Sequence, residues 1–272
     1  MERFSVSPMS FFRTVFKNRS LLYALVRRDV VGRYQGSMAG LLWSFFNPLF
    51  MLAVYTFFFS VVVKSRWGGG TQSKTEFALV AFVGLIVFNL FVECLTRAPN
   101  LIVSNTNYVK KIIFPLGILP LVVVGSVLFH TVVSLIAWVL FYLICFGVPP
   151  WTGLVFPIVI VPLVLFVLGI SWFLSSLGVY LRDVSQVVTV LTGALMFLSP
   201  IFYPVSSMPP RLQIVFHLNP LTPAIEFSRS VLIFGRLPVL AHYFIFLAVG
   251  FTVAWGGFCW FQKTRAGFAD VL

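Results

Sequence analysis

Three arginines crowd one short stretch of this chain, Arg27, Arg28 and Arg33, with Tyr34 following the last of them. A guanidinium presents a planar fork of donors that matches phosphate oxygens two at a time, and it cannot cheaply enter hydrocarbon. Anchoring the chain at a membrane edge is the competing role for the same residues. A second cationic pair, Lys110 and Lys111, stands in SNTNYVKKIIFPLGILP with Asn105, Asn107, Tyr108 and Phe114. This short polar helix suits docking into a groove of another protein, and the prolines after it would pass its movement on rigidly. The plainer reading is a loop with two topology-setting lysines. Glu93 is the acid most nearly inside an apolar run, where a charge is costly and marks a candidate functional residue. Arg97 follows four residues later, in the favourable order for an ion pair, so structural pairing is the stronger expectation for Glu93.

Other chemistry is missing. The sequence has no G-x-x-x-x-G-K-[ST] loop to cradle ATP phosphates and no H-E-x-x-H. His130, His217 and His242 are far apart, and packing or interface roles rather than catalysis are expected of each. Cys94, Cys145 and Cys259 lie in apolar runs without metal-ligand spacing, which points to packed, reduced thiols rather than disulfides or a metal. No catalytic residue and no metal site is expected.

The elements that position these residues are set by composition. Hydrophobic residues make up 60% of the chain, charged residues only 10%, and mean hydropathy is +1.01. A soluble fold could not bury that much apolar surface, and the runs are continuous rather than alternating, so helices and not barrel strands are expected. The expected fold is an all-α polytopic membrane protein, one domain over residues 1–272. It comprises an interface segment over 1–40, a six-span bundle over 41–261 and a tail over 262–272. The spans are about Leu41–Val63, Phe77–Leu95, Leu121–Phe146, Leu154–Leu181, Val184–Phe202 and Val239–Phe261. Residues 10–35 suit two interfacial helices broken at Asn18-Arg19-Ser20, with Asp29 and Arg33 spaced to pair on the second. Residues 105–120 suit a surface helix and elbow. Residues 206–238, with repeated prolines and no full-length span, should fold back at the surface. The start lacks the compact apolar core of a cleaved signal.

The formal net charge is +12, but the basic residues cluster at the ends of apolar runs, which topology explains without any nucleic-acid partner. Placing the N-terminus inside puts 13 of the 19 Lys and Arg residues on the inner side, so both termini are expected in the cytoplasm.

Taken together, RRDVVGRYQGSMAGLLWSFFNPLF, NTNYVKKIIFPLGILP, LRDVSQVVTVLTGALMFLSPIFYPV and NPLTPAIEFSRSVLIFG resemble the permease subunits of type-2 ABC exporters, most of all those for O-antigen and related polysaccharides. The likeness covers nearly the whole chain with its motifs in order. It implies a bacterial inner-membrane homodimer joined to two copies of a separate cytoplasmic ABC ATPase, which would bind the ATP and Mg that this chain does not. It implies a coupling helix at Asn105, Asn107, Tyr108, Lys110, Lys111 and Phe114, and an N-terminal interface helix near Arg27, Arg28, Arg33 and Tyr34. Short re-entrant outer-gate helices would involve Pro200, Pro204, Pro209, Glu226 and Arg229. The implied cargo is a glycan on a polyprenyl diphosphate, whose pyrophosphate Arg27, Arg28 and Arg33 would attract at the inner interface. Aromatic faces let sugar rings slide by apolar contact, which makes Trp43, Phe46, Phe50, Phe197 and Tyr203 candidates for lining its path, although aromatics also pack cores and face lipid. Export of a teichoic-acid-like polymer, a drug or another lipid fits the same machine. A membrane enzyme acting on lipid-linked sugars and a passive channel or scaffold are the alternatives from other classes.

Overall fold

Inside hydrocarbon every backbone N–H and C=O needs a partner within the protein, and the apolar runs meet that demand as helices. The computed structural model describes residues 16–58, 74–110 and 114–272, and among them no strand occurs. The helices are α1 (Arg19–Tyr34), α2 (Trp43–Phe57), α3 (Lys74–Arg97) and α4 (Thr106–Lys110). They continue as α5 (Leu119–Phe146), α6 (Phe156–Val159), α7 (Val161–Tyr180) and α8 (Val184–Phe197). The last are α9 (Pro210–Leu218), α10 (Leu221–Leu232), α11 (Leu240–Thr264) and α12 (Phe268–Val271).

Four segments among the described residues are long and apolar enough to cross a membrane: Thr75–Arg97, Leu116–Phe146, Trp151–Tyr180 and Leu240–Val271. They coincide with the expected second, third, fourth and sixth spans. The expected first span begins as α2, and its end at Val63 lies outside the described residues. The expected fifth span is shorter than its apolar content suggested, because α8 stops at Phe197 instead of Phe202. Pro200 explains the early stop, since the residue before a proline is pushed out of the helical region. The break expected near Asn18 is a turn at that residue, after which α1 begins. Most of the other expected interfacial helix lies outside the described residues.

The bundle is built around α3. In its most apolar stretch 83% of residues are buried, against 22 to 44% for the other three long segments, so α3 is the central helix. It packs on α5, α2, α7, α8 and α10. The tightest pairing is α7 with α11, where glycines remove the spacing that side chains would impose. A Cβ on Gly257 would stand 2.0 Å from the Gly169 carbonyl oxygen, and one on Gly169 would stand 2.2 Å from the Val253 carbonyl oxygen. The indole N–H of Trp172, on the same α7, donates to the Gly117 carbonyl at 2.9 Å and ties this pair to the start of the α5 segment.

Candidate functional site

Four charged side chains join α1 to α3 at one end of the bundle. Arg97 donates from Nη2 to both carboxylate oxygens of Asp29 at 2.8 Å, Arg33 pairs with Glu93, and Arg97 Nη1 lies 3.6 Å from Glu93. The expected Glu93–Arg97 pairing is therefore present as the long arm of a larger network. Asp29 and Arg33, expected to pair along α1, each take a partner on α3 instead. Helical spacing permits the local pair, but docking α1 against α3 offers opposite charges in a half-buried setting where Coulombic attraction is stronger. Burial would raise the Asp29 carboxyl, yet the hydrogen bond and charge of Arg97, with Arg33 nearby, hold it below its ordinary value. Burial likewise opposes the Arg33 cation, and Glu93 more than offsets this, holding Arg33 above its ordinary value.

The element after α3 sits against the same layer. A 3-10 turn over Val103–Asn105 leads into α4, and a second over Leu116–Ile118 leads into α5. Asn105 holds the first turn by donating to the Leu101 carbonyl at 2.9 Å. The Tyr108 ring stacks on Phe114 with centroids 4.4 Å apart, and its hydroxyl accepts from Arg28 at 3.0 Å. Lys110 donates to the Leu272 carbonyl oxygen, and Arg265 donates to the Phe114 carbonyl at 3.3 Å, so the segment after α11 backs the elbow. Asn107 and Lys110 are exposed, as are Arg27 and Arg28, while Lys111 lies outside the described residues.

A cavity of about 450 Å³ opens beside this network, between α1, α2, α3 and α5. Arg33, Tyr34 and Glu93 line its rim, and Asn47, Asn89 and His130 its walls. The Tyr34 hydroxyl lies 3.4 Å from His130 Nδ1. Asn47 and Asn89 are additions to the candidate residues, and His130, for which a packing or interface role is expected, joins them. The signal that would have found them is a polar side chain within a spanning helix, which is costly there unless it serves a site.

The other end of the bundle holds the fold-back. From Arg97 to Val80, α3 rises about 26 Å at 1.5 Å per residue. At that level the guanidinium of Arg229, fully buried on α10, donates to the carbonyls of Val80 at 3.1 Å and of Pro200 and Ile201 at 2.6 Å each. Asn219 donates to the Leu198 carbonyl at 3.1 Å and the Ser199 hydroxyl at 2.9 Å, and accepts from the Leu221 amide at 2.9 Å. The end of α8 leaves carbonyls without intrahelical donors, and these two side chains satisfy that region from the next motif along the chain. Tyr203 adds a hydrogen bond to the Phe197 carbonyl and an edge contact to Phe216. Pro200 is buried, Pro204 half-buried, and Pro209 and Glu226 exposed. Among the remaining aromatic candidates, Trp43, Phe46 and Phe50 line an apolar groove of about 590 Å³ on α2, and Phe197 is exposed on α8.

No cluster of three or more His, Cys, Asp or Glu suited to a metal occurs among the described residues. Cys94 is buried and Cys259 half-buried, whereas Cys145 is exposed on α5 and so is not packed as expected.

Comparison with known proteins places this architecture. A family described as ABC-2 type transporter matches residues 20–233, from α1 through α10. The O-antigen export system permease protein RfbA of Myxococcus xanthus is 28% identical over 262 residues, covering 96% of this chain and 98% of that protein. Its namesake from Klebsiella pneumoniae is 26% identical over 254 residues, covering 93% and 95%. The capsule polysaccharide export inner-membrane protein CtrC of Neisseria meningitidis serogroup B is 23% identical over 235 residues, covering 81% and 82%. With the family match spanning most of its length, this multi-pass helical chain belongs to the ABC-2 type transporter family.

Proposed function

We propose that this chain is the membrane permease of an ATP-driven exporter that moves a lipid-linked, O-antigen-like polysaccharide from the cytoplasmic to the outer face of a bacterial inner membrane. It works as a homodimer with two copies of a cytoplasmic ABC ATPase, which binds the ATP and Mg. The chain itself performs no covalent chemistry. The observation that carries the reading is the mechanical union of α1, α4 and α3 through Arg97–Asp29, Arg33–Glu93 and Arg28–Tyr108. A partner pressing on the exposed face of α4 would move α1 and the central span as one body. The residues Asn105, Asn107, Tyr108, Lys110 and Phe114 form the coupling surface, and Lys111 belongs to the same motif.

Both termini lie in the cytoplasm in this reading, and α2 and α8 supply the two further crossings. At 14 residues, α8 covers about 21 Å of a roughly 30 Å core. The remaining depth falls to the turn at Pro200 and to α9 and α10. Irregular backbone at membrane depth is tolerated where protein satisfies it, which is the service Arg229 and Asn219 perform. This supports α9 and α10 as a re-entrant outer gate, with Pro204, Pro209 and Glu226 on its surface. The exposed aromatics of α2 and α8, Trp43, Phe46, Phe50 and Phe197, face the glycan path or the second copy, with Tyr203 at the outer end. Arg27 and Arg28 offer their guanidinium forks to the pyrophosphate of the carrier lipid, whereas Arg33 is engaged by Glu93.

The test is reconstitution of the permease with its ATPase in proteoliposomes loaded with a polyprenyl-diphosphate glycan. Glycan should become accessible to an added glycosidase on the far side only when ATP and both subunits are present. Chemical turnover of the lipid-linked sugar by the permease alone, or movement independent of ATP, would overturn the reading.

A further inference from the structure

The cavity between α1, α2, α3 and α5 carries polar capacity that the chain does not use. The amides of Asn47 and Asn89 are exposed toward it, and with the Ser134 hydroxyl they make no hydrogen bond to any described residue. His130 lines the same space from α5, its Nδ1 taken up by the Tyr34 hydroxyl at 3.4 Å. The two exposed amides are hydrated in the open cavity, so a ligand that displaces this water is held only where it replaces those hydrogen bonds. The convergence of these side chains from three spanning helices on one space marks a binding site rather than scattered core polarity.

Charge selects the ligand. Arg33, the guanidinium at the rim, is bound to Glu93, which also faces Arg97, whose other partner is Asp29. Two carboxylates and two guanidiniums cancel. A phosphate entering here would meet the Glu93 carboxylate and would have to strip Arg33 from it, leaving a half-buried charge unpaired. An uncharged ligand rich in hydroxyl and amide groups meets partners that both donate and accept, since Asn, Ser and neutral His each do so. The volume of about 450 Å³ falls within the roughly 300–1,000 Å³ typical of small-molecule pockets.

We propose that this cavity binds an uncharged sugar unit, and that the phosphates of the cargo stay outside it. The inference rests on the polysaccharide reading and adds a preformed site with a charge preference. It is tested by saturation-transfer NMR on the full chain in nanodiscs, with maltose and N,N′-diacetylchitobiose as uncharged probes and inorganic pyrophosphate as competitor. Saturation should pass to at least one disaccharide, excess pyrophosphate should not displace it, and Asn89→Leu and Asn47→Leu should each weaken binding about tenfold, as expected for a lost hydrogen bond to the ligand. Absence of sugar binding to the wild-type chain, displacement by pyrophosphate, or unchanged affinity in both leucine variants would overturn the proposal. The competition needs only the wild-type protein, so it decides the question even where a variant fails to fold. ATP-dependent glycan export by the reconstituted wild type, measured alongside, separates failure of this site from failure of the exporter reading.

Discussion

Arg97, the last residue of α3, grips Asp29 of α1 with both carboxylate oxygens 2.8 Å from one guanidinium nitrogen. The contact fastens the interface helix to the most buried span. Replacing Arg97 with Leu or Asp29 with Asn should destabilise the protein by about 1–2 kcal/mol, between the values for exposed and buried pairs. A double-mutant cycle on thermal unfolding should show the two losses to be non-additive.

The same pair predicts an acid limb. Because the Asp29 carboxyl titrates below its ordinary value, ionised Asp29 favours the folded state. That contribution is fully present above the unfolded carboxylate value near ~3.9 and is lost as pH falls through the lower folded value. Asp29→Asn should therefore remove part of the stability loss seen on acidification, measured as unfolding midpoint against pH.

Tyr108→Phe removes the hydroxyl that Arg28 reaches but keeps the ring stacked on Phe114. The fold should be unchanged while stimulation of ATP hydrolysis by cargo falls about two- to fivefold, the size of one exposed hydrogen bond. An unchanged stimulation ratio in proteoliposomes would separate this contact from coupling.

Arg229→Met keeps the length of the side chain but abandons the carbonyls of Val80, Pro200 and Ile201. A loss of about 3 kcal/mol or more is expected, since each buried carbonyl left without a donor costs roughly 1–3 kcal/mol. Arg229→Lys should not restore it, because a point ammonium cannot span three diverging acceptors as a guanidinium does. Thermal melting of the purified variants decides both.

Gly257→Ala places a methyl carbon where the Gly169 carbonyl oxygen already sits. Helices α7 and α11 would have to part, and overpacking of this kind costs about 1–3 kcal/mol. The neighbouring Gly256, with open space around it, should accept alanine without loss in the same melting assay.

The helical fold and most of its crossings were legible in the order of the residues because a continuous apolar run has few alternatives in a membrane: its backbone must pair within itself, and its length is set by the bilayer. Pro200 stands inside the apolar run that suggested a span to Phe202, and α8 ends before it at Phe197. Pairing was a different matter. Sequence spacing offered Asp29 to Arg33 and Glu93 to Arg97; the second pair is kept at 3.6 Å, while Asp29 takes Arg97 and Arg33 takes Glu93 across α1 and α3, because charges choose among all neighbours and helix docking decides which neighbours exist. Arg229 read as one of the cations outside the inner layer and became a buried clamp, since its three acceptors come from Val80, Pro200 and Ile201, far away along the chain. Asn47, Asn89 and His130 stand as polar side chains within apolar runs, a signal that marks a cost without saying which groups they meet. Local sequence thus determined which segments become helices, while only the tertiary structure decided which polar groups meet, because a site made of residues from four helices has no complete signature along any one of them.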